Sequence, residues 1–597
     1  MTEKKIVSYE FGPYRLLPAE RLFLRDGRAI ALTPRVFDTL LTFVRNGGRL
    51  LSKDDLMRMI WRGTVVEEGN LTQNIFILRK TLGESPHDHQ YLVTIPQQGY
   101  RFVARVREHY EEESAAGPAR ADEAGRGAGG EAVTSIAVMP FTLLGGTADG
   151  RCAGIGIADT LITKLSGIRK LVVRPTSAVL KYAEEKPDLS AVGRELRVEG
   201  VLDGTLQILE NRLRVNVRLV NVESGLALWA GKFDDDYRDI FSVQDRIAEH
   251  VVQSLELELS GEERGQLAKS HTDNVEAYQL YVKGRFYWDQ RTEQGLLRAL
   301  DYVRRAIRVD PDYAPAYVGL ADTYSALGEY LYSPPGEAFP RAKSAALKAR
   351  EIDPTMAEAY ASLAEVAFFY EWDWASAEES FRRAVELKRS YASGHHSYAW
   401  FLMAMGRLEE ATDYFRQARK LNPGSLTLNT FLGLPLYYAR QYEGALAQFR
   451  ETLEMEPDFT QAHYYIASAL TQLGRYEEAA AEYLRVIPVE YAQQASALLA
   501  YTYAASGREA AAVKVLGDLR ELSQTRYVSP YLEAIVHAGL GQKEEALAKL
   551  GQACRERAAW SVFLGIDPFL DGLRADPLFN NLLRCVGLPP RPAVSQG

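Results

Sequence analysis

Cysteine is nearly absent: three residues in 597, at Cys152, Cys554 and Cys585. No two form a CxxC pair, which argues against a zinc knuckle or a disulfide framework and fits a reducing cytosol. Long apolar runs are missing too. No stretch reaches the roughly 18 apolar residues a membrane-spanning helix needs, and Ala495–Ala505, among the most apolar windows, is interrupted by Tyr and Thr. The opening Met1-Thr2-Glu3-Lys4-Lys5 leads into no apolar signal segment. No catalytic or cofactor motif is complete. Gly145-Gly146 and Gly154-x-Gly156, between a strand and a helix, can cradle a phosphate, but no GxGxxG completes the pattern. Gly225 to Gly231-Lys232 is one residue too long for a P-loop, and Phe233 stands where Ser or Thr is needed. His87-x-His89 lacks further ligands, and His395-His396 falls on a helix where packing is the ordinary role. Asp234-Asp235-Asp236 reads as a turn after a strand before it reads as a cation site. The expectation is no catalytic residue, no metal and no cofactor.

What is present begins with an uneven charge. Residues 1–107 carry 17 Lys and Arg against 11 Asp and Glu, leaving 53 against 68 of the chain's 70 and 79 for the remainder. A basic head on an acidic body places any polyanion contact on the head. At 597 residues the chain exceeds one core and divides. The expected segments are a head over 1–107, a flexible linker over 108–132, an α/β domain over 133–260 and a helical array over 261–590. The linker contains Glu111-Glu112-Glu113 and little that is apolar, too little to offset the entropy of ordering it.

In the head, short strands around Tyr14–Leu17, Leu22–Leu24 and Ala29–Leu32 precede three helices. Thr33 caps the first, Pro34 opens it, and Val36, Leu40, Leu41 and Val44 share one face. Ser52 caps the second, which runs through Trp61. The third spans about Gly69 to Leu82, with Leu71, Ile75, Leu78 and Leu82 at helical spacing. A β-hairpin over Tyr91–Val103 follows. From Ser135 strands and helices alternate: a buried strand over Ile136–Phe141, helices over Ile157–Leu165 and Leu189–Leu196, paired strands Gly200–Ile208 and Arg212–Val220, a strand Ala227–Phe233 and a closing helix Ile240–Leu257.

From Asn274 the chain reads as helix and repeats. Gly406, Arg440 and Gly474 stand 34 residues apart, Gly507 and Gly541 continue the period, and Pro423 and Pro457 share it. Ala377/Phe381/Ala384, Ala411/Phe415/Ala418 and Ala445/Phe449/Thr452 recur at fixed offsets, small residues letting two helices close up while the aromatic fills the space to the next unit. This resembles the tetratricopeptide repeat, in about eight units with an insertion near Tyr330–Pro340 in the second.

The head resembles the OmpR/PhoB-type winged-helix output domain. The resemblance is carried by Leu32-Thr33-Pro34-Arg35-Val36-Phe37, Gly48-Arg49-Leu50-Leu51-Ser52-Lys53-Asp54-Asp55-Leu56, Trp61, Leu71-Thr72-Gln73-Asn74-Ile75, Leu78-Arg79-Lys80-Thr81-Leu82-Gly83 and Thr94-Ile95-Pro96-Gln97-Gln98-Gly99-Tyr100-Arg101-Phe102. It implies a four-strand sheet, three helices and a hairpin wing. The order of segments is similar to the ToxR/CadC class without a membrane span. The middle domain resembles a TolB-amino-terminal-like module through Ser135–Phe141, Gly156–Asp159, Arg174-Pro175-Thr176-Ser177, Val201–Gly204 and Leu228-Trp229-Ala230.

The fold class expected is therefore multidomain: α+β winged helix-turn-helix, α/β domain, all-α solenoid. With its leucines inward, the third helix turns Asn70, Thr72, Gln73, Asn74 and Phe76 outward. Asn and Gln can bond adenine edges, and Thr and Phe can touch thymine methyls. Lys53, Arg62, Arg79 and Lys80, with Arg101 on the wing, are the expected contacts to the DNA backbone or minor groove. The function expected is a bacterial, cytoplasmic, non-enzymatic regulator of transcription that binds double-stranded DNA. Its repeats take a signal from a protein or peptide on their concave face or from self-association, a homodimer being open. The rival reading is an interaction scaffold whose winged helix no longer binds DNA, suggested by a recognition helix that is mostly neutral.

Overall fold

The structure, a computed structural model, describes residues 6–589 except 19–21, 26–27, 31, 33, 61–67, 85–89, 96–97, 111–132, 145–147, 184–187, 210–211, 270 and 489–491. Two compact units divide the chain, residues 1–129 and 130–597.

The first unit opens with strands β1 (Ile6–Phe11), β2 (Tyr14–Leu17), β3 (Leu22–Arg25) and β4 (Arg28–Ala29). Then come α1 (Pro34–Arg45), β5 (Leu50–Leu51), α2 (Lys53–Ile60), α3 (Glu68–Leu82), β6 (Leu92–Ile95), β7 (Gly99–Phe102) and β8 (Arg107–Tyr110). The first sheet has the order β4-β3-β2-β1-β8 and the second β5-β7-β6. Three of these strands, β1, β5 and β8, were not expected. β1 alternates Val7, Tyr9 and Phe11 with Ser8 and Glu10, a strand signal that the reading passed over, and Tyr9 and Phe11 drive into the core. β8 adds a fifth strand where four were implied, pairing antiparallel with β1. The linker therefore does not begin at 108: Glu108, His109 and Tyr110 belong to the sheet, and their polarity is that of an edge strand. Helix α1 buries Phe37 and Phe43 beside Val36, Leu40 and Val44, a wider stripe than expected. The Thr33 cap lies outside the described residues.

In the second unit, residues 133–267 form β9 (Ser135–Val138), β10 (Thr142–Leu143), α4 (Ala148–Leu165), β11 (Val172–Val173), α5 (Thr176–Val179), α6 (Leu189–Glu195), β12 (Gly200–Leu209), β13 (Arg212–Asn221), β14 (Ala227–Asp236), α7 (Ile240–Ser254) and α8 (Gly261–Leu267). The sheet order is β11-β9-β12-β13-β14, with β10 against β12. On β13, Leu213, Val215, Val217 and Leu219 are buried while Arg212, Arg214, Asn216 and Arg218 are exposed. That strict alternation covers one face only. Asp234-Asp235-Asp236 ends β14 and is not a turn. Asp234 is bonded by Arg214 and Arg212, which hold its carboxyl at about 2, and Asp235 by Arg246. Gly154 and Gly156 lie inside α4, not in a phosphate loop. A Cβ on Gly154 would stand 2.0 Å from the Phe141 carbonyl oxygen, and one on Gly156 2.8 Å from the Tyr278 hydroxyl. They are contact points for neighbouring backbone and helix. Gly145-Gly146 lies outside the described residues.

Eight helical pairs, A then B, follow: Val275–Asp289 with Glu293–Val309; Ala314–Glu329 with Pro335–Ile352; Ala357–Val366, continued by a wider turn over Ala367–Glu371, with Trp374–Leu387; Ala392–Ala404 with Leu408–Leu421; Leu426–Phe431 and Leu434–Tyr438 with Tyr442–Met455; Thr460–Gln472 with Tyr476–Val486; Ala492–Ala505 with Glu509–Leu522; Pro530–Gly539 with Lys543–Arg555. The expected insertion in unit 2 is only partly a loop, since helix B begins at Pro335 and contains Pro340. The period-34 residues stand where A turns into B, each with left-handed backbone: Gly406, Arg440, Gly474, Gly507 and Gly541, φ +66° to +80°. Ala377, Phe381, Ala384, Ala411, Phe415, Ala418, Ala445, Phe449 and Thr452 are all fully buried. His395 and His396 pack as expected. His395 Nε2 lies 2.9 Å from the Arg389 carbonyl oxygen, and His396 accepts from the Trp400 indole N–H. Burial pushes both imidazoles below their ordinary range, His396 to about 3.

Beyond unit 8 the chain turns back along the A helices as Ala559–Phe563, Pro568–Leu573 and Pro577–Val586. Trp560 donates to the Glu329 carbonyl of unit 2, Arg557 to the carbonyls of Tyr370 and Glu371 in unit 3, and Trp374 to that of Gly587. Phe563 meets Trp400 of unit 4 and Tyr438 of unit 5, and Asp571 pairs with Arg440. The inner face expected to hold a partner is thus filled along units 2 to 8 by the chain's own residues 556–589. The array also closes: Leu331 of unit 2 shares one apolar cluster with Ala497, Val528 and Leu532 of units 7 and 8, and Arg526 pairs with Glu293 of unit 1.

Candidate nucleic-acid interface

Helix α3 packs on α1 and α2 through Leu71, Ile75, Leu78 and Leu82, all at most 5% exposed. Its C-terminal end is fixed by Tyr14, whose hydroxyl donates to the Leu82 carbonyl at 3.0 Å. Ser52 starts α2 as expected, its hydroxyl accepting from the Asp55 N–H and donating to the Asp55 carboxylate, which lies below the ordinary range for that reason first. The hairpin β6–β7 is anchored by Glu84, a buried carboxylate accepting from the N–H groups of Tyr91 and Leu92 at 2.9 and 3.1 Å. Gly99 begins β7 with φ +135°, and a Cβ there would stand 2.1 Å from the Leu51 carbonyl oxygen. Only glycine lets the wing lie this close to β5. The result is a helix and a hairpin held side by side, the arrangement that sets one element in a major groove and another along the adjacent backbone.

Residues 27–102 match the family "Transcriptional regulatory protein, C terminal". The head is an OmpR/PhoB-type winged helix. Residues 132–250, whose expected likeness was to a TolB-amino-terminal-like module, match "HilA/YgeH-like transcriptional regulator, second domain", and residues 392–425 and 432–495 match "Tetratricopeptide repeat". Among curated proteins, Putative adenylate cyclase 3 of Rhizobium meliloti is 33% identical over 188 residues, 31% of this chain and 32% of that protein. The transcriptional regulator HilA of Salmonella typhimurium is 22% identical over 426 residues, 71% of each chain. A solved DNA-binding domain of Escherichia coli CadC is 30% identical, covers 18% of this chain and 99% of its own, and superposes with a TM-score of 0.16. Among the described residues, no helix is long and apolar enough to cross a membrane.

On this winged helix the expected contact residues divide. Lys53, at the start of α2, and Lys80, in the last turn of α3, are exposed. Asn70, Thr72, Gln73 and Phe76 lie on α3, their side chains outside what the structure describes, and Arg62 lies outside the described residues altogether. Asn74 does not face outward. It is 8% exposed, and its Nδ2 donates at 3.1 Å to the hydroxyl of buried Thr39 on α1. The inward stripe is wide enough to take position 74 between Leu71 and Ile75, so Asn74 holds α3 to α1 and is no base-reading residue. Arg79 is likewise a positioning residue: its guanidinium donates to the Leu92 carbonyl at 3.2 Å and the Thr94 hydroxyl at 2.8 Å, tying α3 to the wing. Arg101, on the central strand of the small sheet opposite Leu50 and Val93, is half-buried, with its Nε enclosed. Thr39 and Glu84 were not singled out from the sequence, where nothing marks a lone Thr on an apolar helix or a Glu past a helix end. Replacing Asn74 by alanine is expected to cost the head about 1 kcal/mol through the lost bond, with base preference unchanged. Urea unfolding and selection from random duplexes would check both halves.

Proposed function

We propose that the chain is a sequence-specific DNA-binding regulator of transcription, acting in the cytoplasm and without a catalytic role, whose repeats receive a signal from a protein partner or by self-association. The observation that carries this reading is the OmpR/PhoB-type match over residues 27–102 on a leucine-backed helix beside an anchored hairpin. In this reading Asn70, Thr72, Gln73 and Phe76 read base edges, while Lys53, Arg62 and Lys80, with Arg101 on the wing, meet phosphates. The functional segments proposed are the head and its extra strand, a connection through residue 132, the α/β domain and the repeats. Since the last residues line the inner face along units 2 to 8, a partner would use the outer faces of the B helices or the inner face of unit 1.

Selection from random duplexes by the full-length protein tests the reading. An enriched motif is expected, and its absence at low salt would remove the proposal. Phosphate contacts release counterions, so affinity should fall steeply with salt. Lys80→Ala is expected to weaken matched and scrambled duplexes alike and to lower the slope of log affinity on log salt by about 0.9. Gln73→Ala should flatten the preferred motif with little change in that slope.

A further inference from the structure

Two of the chain's three cysteines come together in space. Cys554 lies on helix B of unit 8 and is 5% exposed, while Cys585 is exposed on the returning helix Pro577–Val586. The two helices pack directly and in step. One turn before each cysteine, Leu582 Cδ2 stands 4.0 Å from the place a Cβ on Gly551 would take. Leu550 and Ala553 on the first helix share one apolar cluster with Phe579, Leu583 and Val586 on the second. This register brings the Cys585 thiol within hydrogen-bonding reach of the Cys554 thiol. Both are free thiols.

The pair is asymmetric. A cysteine meets an oxidant as its thiolate, and only where the oxidant can reach it. Cys585 faces solvent and Cys554 does not. Burial first, and the neighbouring Cys585 thiol second, push the Cys554 thiol above its ordinary range, so it stays protonated. An exposed cysteine beside a sheltered second one lets a first oxidation end as a disulfide before it goes further. The place in the fold adds a consequence. The helix that carries Cys585 touches two units far apart in the array: unit 8 beside Cys554, and unit 3 at its end, where the Gly587 carbonyl accepts from the Trp374 indole at 2.9 Å.

We infer that Cys554 and Cys585 form a peroxide-sensitive disulfide that fastens the last segment of the chain to unit 8. The Cys585 thiolate attacks hydrogen peroxide. The O–O bond breaks, Cys585 becomes a sulfenic acid, and the hydroxide that leaves takes a proton from solvent. The Cys554 sulfur then attacks the Cys585 sulfur. The S–O bond breaks, and the departing hydroxide takes the Cys554 proton as water. Two thiols lose two electrons and two protons, and one peroxide becomes two waters. In a reducing compartment the pair stands open and closes only under oxidant. Once closed, the hold of the last segment on unit 8 is covalent, whatever the head binds.

The test treats the reduced full-length protein with a few equivalents of hydrogen peroxide. Peptide mapping without reductant is expected to find the peptide holding Cys554 joined to the one holding Cys585. The melting temperature should rise by about 3–5 °C, as for a cross-link closing a loop of this length in a large domain, and fall back with dithiothreitol. Cys585→Ser, a change at an exposed position, should show neither the link nor the rise. Cys554→Ser should leave Cys585 as a sulfenic acid that dimedone traps. No joined peptide, a link through Cys152 or between two molecules in its place, or a link that leaves the melting temperature where it was would each overturn the inference.

Discussion

A chain ended after Arg555 is expected to lose cooperative folding of its repeats. Phe563, Leu564, Ile566, Phe569, Leu570 and Leu573 lie beyond that point, each at most 4% exposed. Burying a side chain of this kind contributes about 1.5–3 kcal/mol, so the six together approach the whole stability of an ordinary domain, about 5–15 kcal/mol. The loss is two-sided, because Phe368, Trp400, Tyr438 and Tyr501 on the A helices would be uncovered as the segment leaves. Calorimetry should find no transition comparable to the full chain's, and size-exclusion chromatography should find aggregates. A truncated protein that stays monomeric with an unchanged melting temperature would contradict the packing described. Phe563→Ala is the graded form of the same experiment, with an expected cost of about 3–5 kcal/mol.

Arg174→Ala is expected to be the most damaging single substitution at the junction of the α/β domain and the repeats. Arg174 is 5% exposed and spends its donors on four carbonyls: Leu196 and Arg197 in its own domain, Lys420 and Leu421 at the end of helix B in unit 4. Burial first, and Arg197 second, lower its pKa to about 10, which still leaves it charged at neutral pH. Removing it orphans acceptors on both sides, an effect of about 3–5 kcal/mol. Hydrogen–deuterium exchange should report faster exchange in helix B of unit 4 and around Leu196, with the head unaffected. Equal protection in variant and parent would refute the assignment. Lysine is a poor substitute, because one ammonium cannot reach four carbonyls with the fixed fork of a guanidinium.

Much of this architecture was legible in one sequence, and the exceptions share a cause. The late repeats were visible because their A-to-B turns need a left-handed residue, and glycine meets that need at Gly406, Gly474, Gly507 and Gly541. In units 1 to 3 the same backbone is carried by Arg291, Leu331 and Trp372, so the geometry repeats while the letter does not. Helix α3 was placed within a residue by its leucines, but the boundary of its inward stripe was not. Whether position 74 faces in or out depends on Thr39, thirty-five residues earlier. Gly154 and Gly156 suggested a phosphate loop because a glycine needed for close approach looks the same as one needed for a turn. The aspartates of β14 looked like a turn because the arginines that bond Asp234 and Asp235 sit on β13 and α7. The final segment has aromatics and prolines but no period, and nothing local says which surface it covers.

The meeting of unit 1 and unit 2 with units 7 and 8 changes what kind of polymer this array is. An open solenoid behaves as a row of dominoes, stable unit by unit, and melts inward from its tips. Here the tips lean on each other through Leu331 and Arg526, so neither is free to unravel first. Repeats in such a hoop cannot be added or removed without springing it open, and heating should dissolve it in one step.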